Sequence, residues 1–395
     1  MASNNISKAE FSRILLIKPS AVGDVVHALP VMEKLRRRYP AAQIDWLLPP
    51  ENAELVRGHP ALSNIVLFAR KDFSRDGKRL GAVAGFLRLL GQLRGAKYDL
   101  VIDLHGQLRS AIFALATGAP VRIGFDRPVR RRGESTFQGR TMKNVPQRGW
   151  AGAREGSWLA YTHRIAIPTL EVHAVDRYLW VGKMLGFEPG PARFDLPIAP
   201  EADAMISQEL EAVGAGDRPL AVLVPGTMWE TKHWTSEGFG AAARELARTG
   251  ALPVLIGTKA EVERNRRIAG IASGTLDLTG KTTLAGVVAL IRRAAIVITN
   301  DSGAMHIAAA LGRPAISIFG PTNPVQVGPY GQPENVVRLD LACSPCNFRR
   351  LSQCPNGHAC MRDLKAEMVM ERVRAALGGE LLPDKAGIRT NAGGI

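Results

Sequence analysis

Two α/β domains, each folded around a parallel sheet, are what this sequence predicts, and three observations predict them. Short apolar runs without polar alternation recur along both halves of the chain, separated by stretches of helical period, which is the pattern of strands covered on both faces. A Pro/Gly segment, Gly186-Phe187-Glu188-Pro189-Gly190-Pro191, stands between the halves. Several runs end in turns rich in Gly, Asp, Ser and Thr, and open α/β sheets bind their ligands at the carboxyl ends of strands. At 395 residues the chain exceeds one ordinary core and suits two domains of roughly 150–200 residues each. The expected division is residues 1–188, residues 189–380 and a flexible tail, 381–395, with a cleft between the two domains.

In the first half, strands are expected at residues 14–17, 44–48, 65–68, 100–103 and 121–124, with helices at 25–38 and 82–93. Pro30 falls within the first helical pattern, lacks the N–H of the ladder and should bend or restart that helix. Periodicity is lost over residues 127–148, where Arg127, Arg130, Arg131, Arg132, Arg140, Lys143 and Arg148 lie among Gly, Ser, Thr and Gln. This reads as a mobile basic loop. Helical pattern returns at Trp158 and over 172–185. In the second half, strands are expected at 220–224, 252–256, 296–299 and 315–319, and helices at 236–249, 260–273, 283–294 and 304–311.

Hydrophobic residues make up 46% of the chain, ample for two cores. No apolar stretch approaches the ~18–20 residues of a membrane span, and the first residues lack a signal-peptide core, so a cytoplasmic protein is expected. A net charge of +15 calls for a polyanionic partner: nucleic acid, an anionic membrane surface or a phosphorylated substrate. Nucleic acid is disfavoured, because the basic stretch 127–148 has only Phe137 as a stacking platform. The basic surface is expected to hold the protein on anionic headgroups of the inner membrane. All four cysteines, Cys343, Cys346, Cys354 and Cys360, lie within one short segment, with His358 among them. A disulfide scaffold would spread them. The C-x2-C pair and its followers suit a structural zinc or iron knuckle, the alternative being a reduced Cys-rich loop.

The run Ile296-Val297-Ile298-Thr299-Asn300-Asp301-Ser302-Gly303-Ala304-Met305-His306 reads as a strand delivering a helix N-terminus. Free N–H groups there, the helix dipole and the Ser302 hydroxyl suit a phosphate, with His306 one turn on. Lys18-Pro19-Ser20-Ala21-Val22-Gly23-Asp24 ends the first strand. Gly23 permits a close turn, and Asp24 is either an N-cap or a carboxylate at the cleft edge. The turn over residues 225–234 holds Thr227, Trp229, Lys232, His233 and Trp234; Lys232 beside a hydroxyl suits a diphosphate, and a partly packed Trp loop is the plainer reading. Glu261 and Glu263 could reach ribose hydroxyls or only favour the helix dipole. Residues 274–282 imitate a P-loop but carry five residues between the glycines where the motif has four, which excludes a Walker-type nucleotidase. No G-x-G-x-x-G follows a strand, so a dinucleotide dehydrogenase has no support.

Together, residues 18–24, Tyr98-Asp99-Leu100-Val101-Ile102-Asp103-Leu104-His105-Gly106, Thr231-Lys232-His233-Trp234, residues 300–306 and Phe319-Gly320-Pro321-Thr322 resemble glycosyltransferase family 9, the ADP-heptose:lipopolysaccharide heptosyltransferases, over residues 13–377. The resemblance implies a GT-B fold, two Rossmann-like doubly wound domains facing a central cleft, with donor on the C-terminal one and acceptor on the N-terminal one. It implies inverting transfer of heptose from ADP-L-glycero-D-manno-heptose to the Kdo or first heptose of the lipopolysaccharide inner core, without a catalytic metal. Asp24 matches the family's general base. Lys232, Asp301 and Ser302, Gly303, Ala304, Met305 and His306 match its ADP-sugar positions, with Thr227 and Glu261 beside them. Ser20, Gly23, Arg122, Arg130, Arg131 and Arg132 fall on the acceptor side. Residues 231–234 and Ala153-Arg154-Glu155 resemble the first-heptose type and residues 300–303 the second. The Cys cluster occurs in part of the family, including relatives that heptosylate autotransporter proteins, so a protein O-heptosyltransferase is the alternative.

Overall fold

The computed structural model describes residues 6–68, 80–129, 135–137, 140–142 and 149–378. The chain forms two compact units, Met1–Pro197 with Val325–Val327, and Ile198–Pro324 with Gly328–Ile395. In the first, β1 (Arg13–Ile17), β2 (Gln43–Leu48), β3 (Asn64–Leu67), β4 (Leu100–Asp103), β5 (Val121–Phe125) and a strand at His163–Ile165 form one sheet. Numbering the hairpin strands Ser135–Phe137 and Arg140–Met142 as β6 and β7 makes the last strand β8, and the order is β3-β2-β1-β4-β5-β8, all parallel. The second unit repeats it. β9 (Leu220–Val224), β10 (Leu252–Leu255), β11 (Leu276–Asp277), β12 (Ala294–Asn300), β13 (Ala315–Ile318) and β14 (Val336–Val337) run parallel in the order β11-β10-β9-β12-β13-β14.

Both orders reverse beside the first strand of the unit, between β1 and β4 and between β9 and β12, and at such a switch point the loops diverge and leave a crevice at the carboxyl ends. Register fixes that crevice. Ile17 pairs with Asp103, and Val224 with Thr299, so each pair of central strands ends at one level. The strands read as uninterrupted apolar runs because both faces are covered: Ile14, Leu15, Leu16 and Ile17 are all fully buried. Phe113 packs on Phe68 in the first core, and Trp234 meets Phe239 edge-on in the second.

Several expectations change. The helix Val22–Arg38 runs unbroken through Pro30. The residues around Pro30 are buried on the inner face, and that packing outweighs the missing backbone bond. The stretch 127–148, read as a patternless loop, contains the antiparallel hairpin β6-β7. Residues 172–185 form two short helices, Ala174–Leu179 and Gly182–Leu185, and Trp158 sits in a 3-10 turn, Ser157–Ala160. β8 was not foreseen, nor was the helix Pro200–Ala212, which buries only Ile206 and Leu210 and so shows little period. Among the described residues, no helix is long and apolar enough to cross a membrane.

Candidate active site

In the first unit the site grows from the end of β1. Lys18 is buried, and its Nζ lies 3.2 Å from Asp24 Oδ2. Asp24 is not the N-cap. Ala21 holds that place and donates its N–H to Asp24 Oδ2 at 3.0 Å, while Tyr178 donates its hydroxyl to Oδ1 at 2.9 Å. Burial pushes this carboxyl up, but the charge of Lys18 and the three donors outweigh it and hold Asp24 at about 2. Asn52 Nδ2 donates to Pro19 O at 2.7 Å and fixes the turn, in which Ser20 is half-buried and Gly23 buried.

The end of β4 faces the same crevice. Asp103 is fully buried and accepts from the N–H groups of His105 and Gly106 and, at 2.7 Å, from Tyr161 Oη. That shapes a tight turn, with Gly106 at φ +65°, in the left-handed region. Burial, and next the charge of Lys18, hold the His105 imidazole down at about 3, so it stays neutral, and its Nδ1 has no hydrogen-bond partner.

In the second unit three strand ends meet. Lys232, in a 3-10 turn after β9, places Nζ 2.6 Å from Asp301 Oδ2 at the end of β12. Thr322, after β13, donates its hydroxyl to the same oxygen at 2.6 Å, and Thr227 donates to the Asp301 carbonyl at 2.9 Å. Asn300 clamps the loop, donating to Pro225 O and accepting from Trp234 N–H. The helix Gly303–Ala310 starts at Ser302, whose side chain does not cap it; its hydroxyl pairs with Thr299 instead. The first N–H groups of this helix, those of Gly303, Ala304 and Met305, thus take no bond from the Ser302 side chain, and the positive end of the helix dipole follows directly on Asp301. The Trp229 ring carries two cations, Lys232 Nζ at 4.3 Å and the Arg349 guanidinium at 4.8 Å from its centroid.

The expected site residues divide accordingly. Asp24, Ser20 and Gly23 share one turn, and Thr227, Lys232, Asp301, Ser302, Gly303 and Ala304 meet at one crevice. Met305 is fully buried, which leaves only its main chain to serve a ligand, and His306 is buried too. Glu261 is bound up in the cap of its own helix, accepting from Thr258 N–H at 2.6 Å, and a Cβ on Gly226 would lie 1.8 Å from its Oε1. Arg122 does not join the acceptor side. It sits near the amino end of β5, where its guanidinium donates to the carbonyls of Ala119 and Ala160 and ties the strand to the Ser157–Ala160 turn. Arg130, Arg131 and Arg132 lie outside the described residues. Lys18, Tyr178 and His105 join a crevice for which Ser20, Gly23 and Asp24 were singled out. The Lys18-x5-Asp24 spacing was visible in the sequence; the approach of Tyr178 was not.

The four cysteines are free thiols, all half-buried. Burial, and next the neighbouring Cys346, Cys343 and Cys354, push the Cys360 thiol up to about 12. Yet no three His, Cys, Asp or Glu side chains among the described residues are arranged to hold a metal ion. What the segment visibly does is buttress the Lys232 loop. Leu351 N–H donates to Glu230 Oε2 at 3.0 Å, and His358 Nε2 lies 2.7 Å from Thr231 O.

Comparison with known proteins places this geometry. The family model of glycosyltransferase family 9 (heptosyltransferase) matches residues 86–146 and 133–358. Lipopolysaccharide heptosyltransferase 1 of Pseudomonas aeruginosa is 29% identical over 337 residues, 85% of this chain and 86% of that protein. Lipopolysaccharide heptosyltransferase 2 of Escherichia coli is 26% identical over 382 residues, 92% of this chain and 98% of that one. The structure of E. coli heptosyltransferase WaaC with ADP-2-deoxy-2-fluoro heptose superposes with a TM-score of 0.67 at 25% identity, covering 92% of this chain and 99% of that chain. Two Rossmann-ordered units with charged residues at both switch points are the GT-B architecture of these enzymes, and the chain belongs to glycosyltransferase family 9, the heptosyltransferases.

Proposed function

We propose that this transferase moves heptose from ADP-heptose to the inner core of lipopolysaccharide, with inversion, at the cytoplasmic face of the inner membrane. The observation that carries the reading is the Lys232–Asp301 pair set beside an uncapped helix N-terminus. A diphosphate there would accept from the N–H groups after Ser302 and pair with Lys232, which releases the lysine from Asp301 and leaves Asp301 to Thr322. As the anomeric C–O bond breaks, negative charge grows on the departing ADP, and the preorganised N–H groups and the ammonium stabilise it. Asp24 would orient the acceptor hydroxyl and accept its proton late, once attack on the anomeric carbon has made that proton acidic. A carboxylate held at about 2 is a weak base, but it is ionised at every working pH.

The relatives' names support donor and acceptor class alike. The test is to incubate the protein with ADP-heptose and a deacylated lipid A–Kdo core bearing no heptose or one, following ADP release and product mass. Product with the first acceptor assigns first-heptose transfer, and with the second, second-heptose transfer. Donor binding without product on either would overturn the acceptor and turn the search to serine-rich proteins.

We also propose one structural zinc or iron at Cys343, Cys346, Cys354 and Cys360, on their spacing in the sequence, a C-x2-C pair followed by two further cysteines in one short segment. Elemental analysis of protein purified without chelators should find one ion per chain, and its absence would refute this.

A further inference from the structure

We infer that the first unit docks on an anionic lipid bilayer through the face made by the helices Leu80–Gly95 and Leu108–Ala116 and the turn Ser157–Ala160. Helix Leu108–Ala116 buries Ala111, Phe113 and Ala114, yet its outer face is apolar as well: Leu108, Ile112 and Leu115, at i, i+4 and i+7, are 50%, 36% and 51% exposed. Beside it, Val83 and Leu87, at i and i+4, are 56% and 60% exposed. The helices are neighbours, for the rings of Phe86 and Phe113 lie 6.0 Å apart. Leu159, 75% exposed, belongs to the same face, because Glu155 Oε2 accepts from Leu108 N–H at 3.1 Å and Arg154 N–H donates to Gly106 O at 2.8 Å. Six large apolar side chains standing in water on adjoining elements mark an interaction surface.

Charge selects the partner. Neither helix contains Asp or Glu, and their charged residues are Arg88, Arg94 and Arg109, all exposed. Glu155, whose carboxylate caps Leu108 N–H, is the acid placed beside them, so arginines outnumber it on this face, and apolar side chains amid an excess of arginine are what an interfacial segment presents to acyl chains and anionic headgroups. A second copy of this chain would set arginine against arginine, at a net charge of +15 per copy. The location also fits. Helix Leu108–Ala116 begins two residues after Gly106, at the end of the sheet that carries Lys18 and Asp24, so docking this face holds the Asp24 crevice near the bilayer surface. That it thereby reaches a lipid-anchored acceptor rests on the proposed transfer; the docking itself does not.

The test is co-sedimentation of the full chain with vesicles of phosphatidylcholine alone and of phosphatidylcholine mixed with phosphatidylglycerol, as salt is raised. The wild type should bind the mixed vesicles and lose affinity with salt. The triple variant Leu108→Ser, Leu115→Ser, Leu159→Ser should bind them at least about tenfold more weakly, with circular dichroism and transfer to a water-soluble acceptor unchanged. The double variant Arg88→Gln, Arg109→Gln should weaken binding by about tenfold or more and flatten the salt dependence. A triple variant that sediments like the wild type, or a wild type that binds neither vesicle, overturns the proposal. So does a lipid-free dimer that the triple variant converts to monomer. If the wild type transfers heptose to no acceptor while the variants still lose vesicle binding, the proposed function falls and the docking face stands.

Discussion

Replacing Lys18 by methionine should turn Asp24 from a carboxylate ionised throughout the working range into one that titrates within reach of it. At 3.2 Å the two charges attract by about 5 kcal/mol at an effective dielectric constant near 20. The Asp24 side chain is 36% exposed, and solvent screening there reduces the usable part to about 2–3 kcal/mol, or roughly two pK units. In the wild type the folded-state value, about 2, lies below the ordinary aspartate value of about 4. Ionised Asp24 therefore stabilises the fold above about pH 4, and this contribution is lost as pH falls from about 4 to about 2. Without Lys18, burial acts against only the Tyr178 and Ala21 donors, and the value should rise to about 4–5. The assay is kcat/KM for ADP release as a function of pH, with carbon-13 titration of the Asp24 carboxyl alongside. The wild type should show no carboxylate limb above about pH 5, and the variant a falling limb between about pH 6 and 4. An unchanged profile with the Asp24 titration still near its wild-type value would refute the argument that Lys18 sets the state of this carboxylate.

Asp24→Ala should lower transfer by about 100-fold or more while ADP affinity, measured by calorimetry, stays within about twofold of wild type; an active variant would refute the role of base. Lys232→Met should weaken ADP binding about 10- to 100-fold, the loss of one charge-assisted contact, and should also destabilise the fold by leaving the buried Asp301 with Thr322 alone. Adding Asp301→Asn should recover melting temperature but not affinity, and recovery of both would show that Lys232 serves the fold alone. Gly226→Ala sets a Cβ against the carboxylate end of Glu261, which should swing away and give up its bond to Thr258 N–H, at about 0.5–1.5 kcal/mol in urea unfolding; an unchanged midpoint would count against that contact.

Much of the second crevice was legible locally. Thr227 and Lys232 lie in one turn, and Asp301 heads the helix that follows its own strand, so a strand–turn–helix pattern read along the chain already brings out the donors. The first crevice was less legible. Tyr178 reaches Asp24 across 154 residues of sequence, and no spacing rule encodes such an approach. Arg122 misled because an arginine's charge is visible in sequence while the carbonyls it meets are not: Ala119 and Ala160 engage its Nη1 and Nε and hold it near the amino end of β5, away from the strand ends that carry the crevice. Met305 misled similarly, since its place on the inner side of a short helix depends on what covers that helix.

The sequence by itself determined the fold class, because apolar runs of strand length and the helical periods between them record which faces must leave water. It determined the turns that bear the candidate site, since Gly, Asp, Ser and Thr at strand ends are local backbone chemistry. Only the tertiary structure decided the protonation of Asp24 and His105, the pairing of Lys232 with Asp301, and the place of Arg122 away from the crevice. Those depend on desolvation and on charges brought to within a few ångströms from distant parts of the chain, and Coulomb energy follows distance in space rather than along the sequence.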